Sequence, residues 1–214
     1  MKKPFIVGFA GGSGSGKTTL SRIVAAELAW ETQIVPLDQF YRDLSHLPME
    51  ERAAINFDDP DSIDISAAEQ AISTLRQGQP VGVPVYDFAT FSQTEQSASY
   101  SPAPIILVEG MHALYHLSLL ELFDLTVFLD IDEPTRWQRK LERDIQERGR
   151  TYEQVLQMWE THTKPTHYIY VWPTRIRANL LFNESFAPEV ISAITETIQR
   201  KVGLLYNDSA ELPQ

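Results

Sequence analysis

Apolar positions fall in short consecutive runs along this chain: Phe5–Phe9, Gln33–Leu37, Ile105–Val108, Leu125–Ile131 and Ala178–Phe182. Runs of this kind, bounded by turn residues, predict strands covered on both faces. Between them the spacing changes. Leu20, Ile23, Val24 and Leu28 fall at i, i+3, i+4 and i+8, and Trp137, Leu141 and Ile145 fall on every fourth residue, which predicts helices. Strands alternating with helices predict an α/β fold, a parallel sheet of about five strands with helices on both faces.

Residues 40–104 break the alternation. There "HLPMEERAAINFDDPDSID" leads into a helical piece from Ser66 to Arg76, and "GQPVGVPVYDFATFSQTEQSASY" reads as extended, turn-rich chain. A stretch this long between two core strands predicts a lid or a substrate pocket. The expected organisation is one domain over residues 1–206, with an inserted substrate-side region at 40–104 and a lid at 136–160. A frayed tail is expected at 207–214.

Composition narrows the function classes. The 214 residues are 43% hydrophobic and 22% charged, ordinary proportions for a globular chain. No run of 18 apolar residues occurs, and "MKKPFIVGFAGG" is too glycine-broken for a secretory leader, so a cytoplasmic location without membrane contact is expected. The absence of cysteine excludes disulfides and thiolate metal sites. A net charge of −11 argues against nucleic acid as a partner, so any anionic ligand must be met by a local basic cluster.

One stretch supplies the chemistry of such a ligand. "GFAGGSGSGKTTL" fits G-x-x-x-x-G-K-[ST] through Gly11, Gly16, Lys17 and Thr18, after a strand and before a helix. Glycine leaves no Cβ in the way, so consecutive N–H groups can converge on a phosphate chain while the helix adds its positive end. The predicted cradle for ATP is Gly11, Gly12, Ser13, Gly14, Ser15, Gly16, Lys17, Thr18 and Thr19. Lys17 would reach the β- and γ-phosphates and Thr18 would coordinate Mg²⁺. The guanine-reading N-K-x-D is absent, which favours a phosphoryl-transfer enzyme over a GTPase switch.

In an open parallel sheet, ligands lie beyond the carboxyl ends of the strands. Asp38 follows "IVPL" and Glu109 follows "IILV", whereas Asp132, directly before Glu133 and Pro134, reads as a helix cap. Asp38 is placed to take a proton from an acceptor hydroxyl, and Glu109 to hold Mg²⁺ or its water. The segment "RWQRKLERDIQERGR" carries Arg136, Arg139, Lys140, Arg143, Arg148 and Arg150. Helical spacing sets Arg136, Arg139 or Lys140, and Arg143 on one face, opposite Trp137, Leu141 and Ile145. With a phosphate loop in the chain this reads as a lid; without one it would read as a solvated helix laced by Glu142, Asp144 and Glu147. The histidines show no metal-ligand spacing, and His162, in "HTKP", is left without a role.

The stretches "GGSGSGKTT", "LDQFYRDLSHLPMEERAAINFDDPDSID", "VPVYDF", "VEGMHALY", "RDIQERGR" and "KPTHYIYVWPT", in that order between Phe5 and Ala178, resemble uridine kinases of the phosphoribulokinase-like group. The resemblance implies Asp38 as general base with Tyr41 beside it, Asp58 and Phe57 at the ribose, and Tyr86 and Phe88 as aromatic walls around the base. It implies a magnesium site of Thr18, Glu109 and Asp38, and catalytic lid arginines Arg143 and Arg148 with Arg150 beside them. A homo-oligomer, tetramer or dimer, goes with the group.

Departures from the group cluster on the acceptor side. Phe91 and Gln93 stand where a histidine and an arginine are usual, Lys140 replaces an arginine, and Met158 replaces a glutamine. "LLFNESFAPE" replaces the usual stretch near the adenine. The expectation is an ATP- and Mg²⁺-dependent kinase acting on the 5′-hydroxyl of uridine or cytidine. The competing readings are the same transfer to another small hydroxylated acceptor, or a nucleotide-dependent regulatory protein.

Overall fold

The computed structural model describes residues 3–207, so of the expected tail only Asn207 lies within the described residues. The apolar runs form strands β1 (Phe5–Gly11), β2 (Thr32–Pro36), β5 (Ile105–Glu109), β6 (Leu125–Leu129) and β7 (Leu180–Phe182). They hydrogen-bond in the order β2-β5-β1-β6-β7, every pair parallel. Each residue of β1, β5 and β6 is buried, as consecutive apolar runs require when both faces are covered.

Alternation along β1 divides the core in two. Phe5, Val7 and Phe9 face a cluster built with α1 (Lys17–Glu27) and α8 (Pro188–Asn207), through Leu20, Val24, Ile194 and Ile198. Ile6 and Ala10 face the other cluster, where α3 (Ile65–Arg76) contributes Ala68, Ile72 and Leu75.

The 40–104 stretch contributes α2 (Met49–Ala54), α3 and an antiparallel hairpin of β3 (Val81–Asp87) and β4 (Ser92–Tyr100), which forms its own two-stranded sheet. After the four-residue α4 (Leu117–Leu120) and β6, the chain enters α5 (Glu133–Gln146). Asp132 caps α5, its side chain accepting from the Thr135 N–H at 2.9 Å, as its place before Glu133-Pro134 implies. Then follow α6 (Tyr152–Met158), a π-helical turn Trp159–Thr163, the single turn α7 (Lys164–Thr166), a second π-helical turn His167–Val171 and a 3-10 turn Trp172–Arg177. No helix among the described residues is long and apolar enough to cross a membrane.

On α5 the basic face turns inward. Arg136, Lys140 and Asp144 are buried while Ile145 is 42% exposed, so the charged row faces inward, and of the apolar row Trp137 packs at 5.4 Å on Trp159. The reason is placement, because α5 runs alongside the phosphate loop and an aspartate absorbs the charge of its basic row.

Candidate active site

The phosphate loop lies between the buried end of β1 and α1. Gly14 and Gly16 sit at φ +80° and +88°, conformations that suit glycine. Space excludes a side chain as well: a Cβ on Gly14 would meet the Arg136 carbonyl oxygen at 2.2 Å, and one on Gly16 would meet the Phe186 ring at 2.7 Å. Helix α1 starts at Lys17 with no side-chain cap, so its first N–H groups remain available to an anion.

The loop is braced from the carboxyl end of the chain. Ser185 donates its hydroxyl to the Ser15 carbonyl at 2.6 Å, and Arg139 donates to Ser185 at 3.1 Å while lying 5.0 Å over the Phe186 ring. The stretch that departs from the uridine kinase pattern therefore packs on the loop through Ser185 and Phe186.

Thr18 donates its hydroxyl to Glu109 Oε1 at 3.0 Å. Burial pushes the Glu109 carboxyl above the usual range, the Lys17 ammonium pulls it back, and the Asp38 charge pushes it up again. Lys17, Asp38 and Glu109 thus share one electrostatic neighbourhood at the ends of β1, β2 and β5. Thr18, Glu109 and Asp38 are a hard oxygen donor set, and one or two carboxylates beside substrate phosphates suit Mg²⁺. Thr19, on the same first turn, is exposed.

Beyond the loop opens a cleft whose lining includes Ser13, Lys17, Asp38, Tyr41 and Asp58. Asp38 comes from a 3-10 turn directly after β2. Tyr41 is buried; burial and then the charges of Asp38 and Asp58 hold its phenol well above the usual value. Asp58 is fixed at three points, the first being its own N–H, which donates to Asn56 Oδ1 at 3.0 Å. Thr163 donates its hydroxyl to the carboxylate, and His112 donates Nε2–H to the Asp58 backbone carbonyl at 2.8 Å. Burial lowers the pKa of His112, which keeps the ring neutral for that role.

Aromatic rings complete the cleft. Tyr86 stands 5.2 Å from Tyr41 and 5.3 Å from Phe88, while Phe57 and Phe91 stack at 5.1 Å with planes 17° apart. Phe91 occupies the hairpin turn at φ +52°, rare for so bulky a residue. Gln93 does not line the cleft; its side chain donates to the Tyr41 carbonyl at 3.2 Å and supports that loop instead.

The fourth wall is basic. Lys140, Arg143, Arg148 and Arg150 all line the cleft, and all converge on Asp144, which has no exposed surface. Burial alone would raise the Asp144 carboxyl, but Lys140 and Arg143 outweigh it and hold the group well below the ordinary carboxylate range.

The structure therefore brings Lys17, Asp38, Tyr41, Phe57, Asp58, Tyr86, Phe88, Phe91, Lys140, Arg143, Arg148, Arg150 and Met158 to one cleft. Asn56, Met111 and His162 join them unannounced. Of these, His162 was within reach of sequence reasoning, since it follows the already singled-out Met158 by four residues. Asp144 could have been found as the one acid at i+4 from Lys140 and i+1 from Arg143.

Comparison with known proteins shows the family. Residues 6–190 match the model of the phosphoribulokinase / uridine kinase family. A uridine kinase of Chloroflexus aurantiacus is 39% identical over 180 residues, covering 84% of this chain and 86% of its own. One of Lactobacillus helveticus is 34% identical over 202 residues, covering 93% and 96%. Among solved structures, one described as a candidate fructose transport system kinase of Silicibacter sp. TM1040 superposes with TM-score 0.71 at 21% identity, over 85% of this chain and 91% of the other. That last likeness is one of fold.

Proposed function

The chain belongs to the phosphoribulokinase / uridine kinase family, and from that premise we propose that it transfers the γ-phosphate of ATP to the 5′-hydroxyl of a pyrimidine ribonucleoside, uridine or cytidine. The observation that carries this reading is that one cleft is lined together by Lys17, Asp38 and Asp58 and by the rings of Tyr86 and Phe88.

Each residue then has a task. Backbone N–H groups of residues 11–16 and the start of α1 cradle the phosphates, and Lys17 neutralises the β- and γ-oxygens. Asp58, oriented by Thr163 and His112, accepts hydrogen bonds from two ribose hydroxyls. That grip sets the 5′-hydroxyl against Asp38, which takes its proton as the oxygen attacks. Arg143 and Arg148 stabilise the charge spread over the transferring group. Tyr86 and Phe88 offer faces for the base. Thr18, Glu109 and Asp38 would hold Mg²⁺, which when bound neutralises charge on the β- and γ-oxygens. A cytoplasmic location goes with a soluble metabolite as acceptor.

A second reading keeps the transfer and changes the acceptor. It is favoured by the Phe57–Phe91 stack, which offers an apolar ring where the group usually has a histidine. A site that loses such a donor loses discrimination for the polar edge it read. Initial rates with Mg-ATP across nucleosides, sugars and other polyols separate the two. Uridine or cytidine leading the panel by about tenfold or more in kcat/KM supports the first reading, and another acceptor leading by that margin supports the second.

A further inference from the structure

We infer that Asp144 is a positioning residue for the reaction: one buried carboxylate that assembles the basic wall of the cleft and sorts it into an acceptor side and a phosphate side. The inference rests on the phosphotransfer reading above. Asp144 touches none of the space a substrate would fill, since the four cations line the cleft in front of it and it does not.

The two oxygens are used differently. Oδ2 accepts from Lys140 Nζ and from Arg150 Nη1, each at 2.8 Å. Lys140 is buried and lies in the field of both Asp144 and Asp58, so this half belongs to the acceptor. Oδ1 accepts from Arg143 Nε at 3.1 Å and Nη2 at 3.0 Å. Arg143 Nη2 also reaches the Ser13 hydroxyl of the phosphate loop at 3.4 Å, so this half belongs to the nucleotide.

Arg148 also pairs with Oδ1 but is held most loosely, at 3.5 Å, and belongs to neither side alone. It lies 5.2 Å over the Phe88 ring and within the field of Asp38. Of the four cations it therefore has least to lose by turning its guanidinium toward an anionic oxygen in the cleft. Arg143 and Arg150 keep donors to spare, because a guanidinium fork bound on one edge leaves its other N–H groups free.

One carboxylate cannot neutralise four cations, so the wall stays positive toward the cleft. Asp144 nevertheless removes enough repulsion to let the four sit together. Without it, mutual repulsion would splay them, leaving the charge near the nucleotide but not its alignment.

Two variants, Asp144→Asn and Asp144→Glu, test this by arginine side-chain ¹⁵N NMR and steady-state kinetics, with thermal unfolding to confirm that each is folded. In Asp144→Asn the Arg143 Nε–H signal is expected to move to the position of a solvent-exposed arginine. Its kcat should fall about tenfold or more while the KM for ATP stays within about threefold, a split that general loss of fold would not produce. Asp144→Glu keeps the charge, so it should retain the shifted arginine signal with an intermediate kcat, and it carries the test if the asparagine variant does not fold. An unchanged Arg143 signal in folded Asp144→Asn, or kcat within about twofold of wild type, overturns the inference. If wild-type protein phosphorylates no nucleoside, the proposed function fails separately, and the NMR result still decides whether Asp144 gathers the cations.

Discussion

The Thr18 hydroxyl and the Glu109 carboxylate meet at 3.0 Å, tying the first turn of α1 to the last residue of β5. That contact joins the phosphate cradle to the strand end beside the acceptor cleft. Glu109→Gln keeps the shape and removes the charge. It is expected to raise the Mg²⁺ concentration for half-maximal activity by about tenfold, with activity recovering at saturating Mg²⁺. A magnesium titration at fixed ATP checks this.

In the proposed reaction Asp38 takes the proton of the acceptor hydroxyl. Asp38→Asn preserves volume and one acceptor oxygen but cannot take a full proton. Turnover should fall by about 10²- to 10⁴-fold, with ATP affinity by calorimetry changed by less than about threefold. Equal losses in both would mean that Asp38 serves nucleotide binding instead.

Phe91 offers a direct handle on the acceptor. Histidine tolerates positive φ better than phenylalanine, so Phe91→His suits the turn at φ +52° and restores a polar ring facing the cleft. The expected outcome is a rise of about tenfold in kcat/KM for uridine, with thermal stability unchanged or higher. No gain in a folded variant would place the base elsewhere in the cleft.

His167 sets a pH dependence of stability. Burial, with the Arg136 charge beside it, pushes its imidazole down to about 3, whereas an unfolded histidine titrates near about 6.5. Between those values the unfolded chain takes up a proton that the folded chain refuses, so stability is full above the upper value and falls as pH drops through the window. The loss from this group approaches about 1.4 kcal/mol per pH unit well inside the window. Urea unfolding at a series of pH values should show it, and His167→Gln should reduce the slope.

The sheet and the phosphate loop were legible because each rests on a local pattern: consecutive apolar residues for buried strands, and glycines at 11, 14 and 16 for the turn into α1. That Asp58, Tyr86 and Phe88 would meet in one cleft was legible by resemblance, since no periodicity links Asp58 to the hairpin. Helix α5 was harder to read. The sequence put Arg136 and Lys140 on one basic face but offered Asp144 only as part of a solvated helix, and its burial among Lys140, Arg143, Arg148 and Arg150 shows only in the folded chain. The π-helical turn Trp159–Thr163 has no residue signature, although it carries His162 to the cleft and Thr163 to Asp58. Helix α8 did carry its signal, in Val190, Ile194, Ile198 and Val202 on every fourth residue.

The most direct test is ³¹P NMR of the purified protein with Mg-ATP and uridine or cytidine. The γ-phosphate resonance should give way to a nucleoside 5′-monophosphate in step with ADP, and Asp38→Asn should slow that conversion by the factor given above. ATP left intact, or split only to ADP and inorganic phosphate with every nucleoside tried, would contradict the account.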